Sequence, residues 1–289
     1  MNVIIRARFV NLEGEIILPG CNNDCEHCGS SCGDRTAESL LFQTNINSSI
    51  KNVIGIVSGK GGVGKSLVTS LLASELRKRG ERTSILDADI TGPSIPKMFG
   101  LHETVLSDGH FIMPAITKNG SKVISMNLCL QDEGEPVVWR GPVLGGVIKQ
   151  FWEEVDWGMT DYMFIDMPPG TGDVPLTIFQ SLPIKGIVIV TTPQELVSMI
   201  VNKALRMAEI MNIPVLGLVE NMAYFECPDC GNKHYIFGKG NLDKIATENN
   251  IKAIAEIPMD PNLARLCDNG LIEDYDAEKY LGSVIDALK

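Results

Sequence analysis

The sequence predicts an α/β protein with a doubly wound, mostly parallel sheet and a short cysteine-rich extension at its N-terminus. Three observations lead there. Short apolar runs alternate with helical patterns from Asn52 onward, a glycine-rich motif joins the first run to the first helical pattern, and four cysteines crowd into residues 21–32. Strands buried on both faces of a parallel sheet read as near-continuous apolar segments, and alternating β and α units supply the crossovers such a sheet needs.

In chain order, residues 1–50 hold a β-like stretch, NVIIRARFV, then the cysteine loop, then a polar segment, QTNINSSIKN, that reads as a linker. Residues 51–289 form the main domain. Its strand candidates are NVIGIVS, RTSILDAD, KVISMN, DYMFID, GIVIVTT, PVLGLVE and KAIAEIP. Between them, residues 195–211 place Leu196, Ile200, Ala204, Met207, Ala208 and Met211 on one face at spacings of three and four. That is a helix packing on a sheet, with its methionines as core filler. No internal repeat or low-complexity tract interrupts the pattern.

Composition excludes several function classes. The net charge, 25 − 36 = −11, opposes nonspecific binding to nucleic acid or an anionic membrane, both of which need a positive field. No apolar run approaches the ~20 residues of a spanning helix. The start, MNVIIRARFVNLEGE, lacks a signal-peptide apolar region and reads as uncleaved. The expected compartment is the cytoplasm, where clustered cysteines indicate metal ligation rather than disulfides.

The strongest chemical signal is Gly59-Lys60-Gly61-Gly62-Val63-Gly64-Lys65-Ser66, which satisfies G-x-x-x-x-G-K-[ST] between a strand and a helix. Glycines let backbone N–H groups converge on phosphate oxygens, and the helix N-terminus adds its dipole. Lys65 neutralises the β- and γ-phosphates of ATP, Ser66 ligates Mg²⁺, and Leu67 closes the nucleotide-binding run. Asp166, at the end of DYMFID, is placed to hold Mg²⁺ through water. Asp87 and Asp89, two apart on a strand, share a face, so one can address the metal while the other positions water. The sheet is therefore expected to be of the P-loop NTPase type.

KGGVGKS is similar to the deviant Walker A motif of the SIMIBI-class ATPases, which include MinD, ParA and the nitrogenase iron protein. The resemblance implies that Lys60 reaches across a homodimer to the partner's nucleotide and that Asp89 orients the attacking water. Two longer stretches, VVWRGPVLGGVIKQFWEEVDWGMTDYMFIDMPPGTGDVPLT and GLVENMAYFECPDCGNKHYIFGKG, resemble the Mrp/ApbC family of iron–sulfur cluster carriers. With the P-loop and DADITGPSIPKMFG, the likeness runs from Asn52 to Lys289. It implies an ATP-controlled homodimer that holds a [4Fe-4S] cluster and passes it to apo-proteins, with Asn221 reading the adenine edge.

The cysteines agree with that implication. Cys227 and Cys230 supply two thiolates where a cubane cluster or zinc needs four, and a two-fold dimer completes the set. A zinc knuckle completed by His234 and another residue is the competing reading, although His234 is better explained as a surface or packing side chain. Cys21, Cys25, Cys28 and Cys32 follow the spacing C-x3-C-x2-C-x3-C. One continuous loop favours a second [4Fe-4S] cluster over zinc, which usually takes two separated pairs. His27 is a bystander, and Cys129 and Cys267 stand alone as core residues. Eukaryotic scaffold proteins of this family carry an N-terminal ferredoxin-like set with wider spacing, so the role of this loop stays open.

Two rival functions remain at this point. A MinD- or ParA-like positioning ATPase would need a membrane-seeking basic tail or a DNA-binding patch, and the C-terminus AEKYLGSVIDALK has mixed charge. An ATP-coupled iron–sulfur electron donor would use the same two cysteines.

Overall fold

The computed structural model describes residues 41–89, 94–130, 141–170, 172–194 and 196–289. Cys21, Cys25, Cys28, Cys32 and His27 lie outside the described residues. Contacts divide the chain into Met1–Leu41 and Phe42–Lys289, so the second unit begins ahead of the boundary at residue 50 read from the sequence.

Ser49–Ser58 forms β1, whose residues are all buried from Val53 onward. Helix α1 (Lys65–Lys78) follows the glycine loop, then β2 (Thr83–Asp87) and the short α2 (Ile95–Met98). A small excursion adds β3 (Leu106–Ser107), β4 (Ile112–Met113), β5 (Ala115–Ile116) and β6 (Lys122–Ile124). The chain continues through α3 (Gly141–Glu154), β7 (Met159–Asp166), α4 (Asp173–Ser181), β8 (Gly186–Thr191), α5 (Leu196–Ile210) and β9 (Val215–Asn221). A hairpin, β10 (Phe225–Glu226) and β11 (Lys233–His234), precedes α6 (Leu242–Glu248), β12 (Ile254–Ile257), α7 (Pro261–Asp268) and α8 (Glu278–Ala287).

The eight-stranded sheet has the order β12-β9-β8-β1-β7-β2-β6-β5. Every pairing is parallel except β5 with β6. All seven strand candidates are strands of this sheet, and the doubly wound expectation holds. On α5, Ala204, Met207 and Ala208 are buried and Met211 packs against the core, as its periodicity required. No helix among the described residues is long and apolar enough to cross a membrane.

The polar stretch read as a linker is hydrogen-bonded to the main body. Phe42 N–H donates to Ser181 O at 2.8 Å and Trp152 Nε1 to Phe42 O at 3.1 Å. Asn45 Nδ2 bonds the carbonyls of Glu153 and Val155 at 3.1 and 2.7 Å, and Ser49 N–H donates to Gly158 O at 2.8 Å where β1 starts beside β7. Asparagine and serine side chains here satisfy the backbone at the end of α3, which explains why a segment without apolar periodicity is nonetheless ordered.

Trp157 shows the packing at this junction. It is fully buried, and its indole N–H donates to Phe151 O at 3.1 Å. Trp157→Ala should lower unfolding stability by about 3–5 kcal/mol, the range for deleting a buried aromatic. A urea titration would show this as a lower midpoint with an unchanged slope.

Candidate functional site

The loop between β1 and α1 is held open by its own backbone. Gly62 and Gly64 have φ of 78° and 86°, a region that side-chain-bearing residues rarely enter. A Cβ on Gly64 would also lie 2.1 Å from Asn221 Nδ2. That amide donates to Val63 O at 2.9 Å. Asn221, expected to read an adenine edge, is thus seen to brace the loop from the end of β9. Helix α1 begins at Gly64 with no side-chain cap and no acidic residue in its first turn. Its leading N–H groups and positive dipole end are left for an exogenous anion.

Beneath the loop sits a buried polar cluster. Asp87 and Asp166 are register partners at the carboxyl ends of β2 and β7, both essentially without solvent exposure. Asp166 accepts from Ser66 Oγ at 2.5 Å and Thr69 Oγ1 at 2.9 Å. Lys65 Nζ lies 2.8 Å from Asp166 Oδ1 and 3.4 Å from Asp89 Oδ2, yet this buried ammonium makes no directed hydrogen bond within the protein. Asp87 accepts from Ser125 Oγ at 2.9 Å and from the Asp89 N–H at 3.1 Å.

Burial, and then the charge of Asp166, push the Asp87 carboxyl well above the ordinary carboxylate range; burial also raises Asp166, against the opposing pull of Lys65. A buried ammonium held by Asp166 and Asp89 at the first residue of a helix with no side-chain cap fits a phosphate chain. Two adjoining carboxyls beside a serine hydroxyl, each made harder to ionise by burial, fit a divalent cation that would restore their charge.

Lys60, the second lysine of the loop, points elsewhere. Its Nζ donates to Gln194 Oε1 at 2.6 Å, just beyond β8.

The Cys227–Cys230 pair occupies the turn of the β10–β11 hairpin. Cys227 N–H donates to Asn232 O at 3.0 Å, and Gly231 N–H, in a left-handed residue, returns to Cys227 O at 2.8 Å. The backbone N–H groups of Asp229 and Cys230, with the Cys230 thiol, face the Cys227 sulfur and lower its pKa. Amides aimed at a sulfur favour the thiolate, the form that ligates metal. Among the described residues, no group of three or more His, Cys, Asp or Glu side chains could hold a metal ion. His234 therefore does not complete the pair. Cys129 and Cys267, half-buried against the core rather than within it, are raised by burial to about 12 and about 11.

Residues 49–288 match the ParA-type family of NUBPL iron-transfer P-loop NTPases. The chain belongs to this family. It is 49% identical over 271 residues to an iron-sulfur cluster carrier protein of Clostridium perfringens, covering 90% of this chain and 95% of that one. A carrier of the same name from Methanocaldococcus jannaschii is 44% identical over 258 residues, 87% and 89% of the two chains. A nucleotide-binding protein of Archaeoglobus fulgidus, solved in complex with ADP and with cobalt found in it, superposes with a TM-score of 0.71 at 46% identity, over 78% of this chain and 89% of that chain. The cell division ATPase MinD of Pyrococcus furiosus, at 18% identity and a TM-score of 0.55 over 82% and 98% of the chains, shares the fold.

In this iron-transfer P-loop NTPase, sequence reasoning missed Thr69, Ser125, Gln194 and Glu220. Thr69 lies one turn after Lys65, facing the sheet, and could have been found from helical spacing. Glu220 was signalled by being an ionisable residue in an apolar strand. It is 4% exposed, and Gly240 packs so closely that a Cβ there would sit 1.9 Å from its Oε1. Together with Thr192, Gln194, Lys239 and Asn241 it lines a cavity of about 110 Å³, into whose wall Thr192 brings a buried hydroxyl without a partner.

Burial, then Glu256 and Asp243, raise the Glu220 carboxyl to about 7. The unfolded chain ionises this group near pH 4.5, whereas the folded protein holds the proton until about 7. Native stability attributable to Glu220 is therefore highest below pH 4.5 and falls as pH rises towards 7. Glu220→Gln should remove that slope, so its gain over wild type is small at pH 5 and grows to on the order of 2–3 kcal/mol above pH 7. Paired denaturation curves across that range measure it.

Proposed function

We propose that this protein is an ATP-dependent iron–sulfur cluster carrier that works as a cytoplasmic homodimer. The carrying observation is a half-complete thiolate site, two cysteines with amides turned to one sulfur and no third ligand among the described residues, on the same chain as a P-loop that suits ATP. The relatives named as carriers support the reading, as does the family's description.

In this reading, the β- and γ-phosphates of ATP lie on the α1 N-terminus against Lys65, and Ser66, Asp87 and Asp166 would hold Mg²⁺, which when bound screens phosphate charge. Asn221, beside the loop, would also meet the adenine. Asp89 orients the water that attacks the γ-phosphoryl group, giving ADP and phosphate. Lys60 leaves Gln194 and reaches the partner's phosphates, so hydrolysis is slow until two copies meet. Two copies also bring two Cys227–Cys230 pairs together, giving the four thiolates that a [4Fe-4S] cargo requires. Recipients are apo-proteins that accept the cluster, and the N-terminal Cys21, Cys25, Cys28 and Cys32 hold a second [4Fe-4S] cluster or zinc. Neither nucleic acid nor a membrane is a partner.

Anaerobic reconstitution with iron and sulfide tests the cargo site. The Cys227→Ser/Cys230→Ser variant should lose the bridging cluster's iron, sulfide and visible absorbance while still binding ATP; undiminished absorbance at that site would refute the assignment.

Lys60→Ala should lower the ATPase rate by about 10-fold or more and change ATP affinity little. Equal losses in both would remove the trans-acting role.

A further inference from the structure

The β10–β11 hairpin carries more than its cysteines. Directly after β11 the chain exposes Ile236 (62%) and Phe237 (42%), two large apolar side chains with no cover. They are flanked by the exposed Lys233, His234 and Lys239. The lysines are positioned rather than loose: Lys233 Nζ lies 3.9 Å over the Tyr224 ring and Lys239 Nζ 5.0 Å over the Tyr235 ring. Tyr224 and Tyr235 are themselves in tilted contact at 6.1 Å. An exposed apolar pair flanked in sequence by two positioned lysines stands out on a chain of net charge −11, and it lies on the same loop as Cys227 and Cys230.

Resting on the carrier reading above, we infer that Ile236 and Phe237, with Lys233 and Lys239, form the docking surface for the recipient of the cluster, a protein presenting an apolar contact surrounded by carboxylates. Two arguments favour this occupant over a second copy of the chain. The first is placement. In the hairpin register, Phe225 faces His234 and Glu226 faces Lys233, so β11 runs away from the turn that holds Cys227 and Cys230. At ~3.3 Å per residue, Ile236 lies up to roughly 15 Å from that turn. A two-fold axis through four bridging thiolates passes beside the turn, leaving the far end of the hairpin at the rim.

The second argument is charge. A two-fold contact sets a patch against itself, which would press Lys233 and Lys239 towards their own copies. Like charges meeting across an interface oppose it, whereas an acidic partner is steered in. Glu226 faces Lys233 across the hairpin and Glu256 also acts on that lysine, offsetting part of its charge, while Asp229 sits in the turn, so Lys239 carries most of the positive charge of this face. A recipient docked here would reach the cluster from the side. Transfer is then a ligand exchange: four iron bonds to carrier thiolates break, four to acceptor thiolates form, and the protons leaving the acceptor thiols end on the carrier thiols. No electron moves.

The test loads the full-length protein anaerobically with iron and sulfide and mixes it with a small acidic apo-ferredoxin, following the acceptor's circular dichroism. Ile236→Ser/Phe237→Ser should load the same amount of cluster, elute at the same size and transfer at least about fivefold more slowly. Lys233→Glu/Lys239→Glu should slow transfer likewise, and wild-type transfer should slow as salt rises. Transfer at the wild-type rate by both variants overturns the inference. Loss of loading or a change of size in the apolar variant also overturns it, by assigning the patch to the second copy. A wild-type protein that never loads rejects the carrier reading itself and the docking surface with it.

Discussion

The Asp166 carboxylate, buried at the tip of β7, is the interaction on which the nucleotide site depends. It receives Ser66 and Thr69 from the first turns of α1 and pairs with Lys65. Its backbone oxygen accepts from the Ala88 N–H at the exit of β2. One residue therefore fixes where α1 starts above the sheet, where its lysine points, and how the Asp87–Asp89 segment leaves its strand. Burying a carboxylate beside a second one is unfavourable in isolation. The arrangement leaves electrostatic stabilisation unclaimed until a cation and a phosphate chain supply it, and ligands that bind only the native state add their binding energy to its stability.

The extent to which this was legible in the sequence follows from the range of the forces involved. The parallel strands and α5 were readable because burial on a sheet writes its period directly into the chain. Strands β3, β4 and β5, two residues each, were not, because pairing partners rather than local pattern define them. The Asn45 strap was misread for a related reason: its order comes from side-chain bonds to distant carbonyls. At the site, the P-loop and the three aspartates were legible as a motif. The contact of Asn221 with Val63 and the Gln194 bond to Lys60 were not, since each joins residues more than 100 positions apart through a polar contact that leaves no periodic trace.

The same distinction applies to the cysteines. Spacing singled out Cys227 and Cys230 as candidate ligands, and the fold shows the pair in the turn of a two-stranded hairpin, with amides turned to one sulfur and, among the described residues, no third side chain grouped with them for a metal. On the carrier reading such a pair needs a second set of thiolates, and among the described residues no neighbouring histidine completes it.

A short path joins the P-loop brace to the cysteine-bearing turn. Only Met222–Glu226 separate Asn221, which braces the P-loop, from Cys227. That path is stiff. Met222 turns the chain in a left-handed conformation with φ 57°, costly for a residue with a side chain and held only by its surroundings. Ala223 N–H is tied to Ile257 O at 3.0 Å, and Met259 N–H to Tyr224 O at 2.8 Å. On the opposite face of β9, Glu220 is pressed against Gly240, where the cysteine-bearing loop rejoins the body. Both ends of that loop are thus anchored to adjacent residues of one strand, Glu220 and Asn221. A shift of the P-loop that moves Asn221 is therefore passed over five residues, two of them tied by backbone hydrogen bonds, to the entry of the loop.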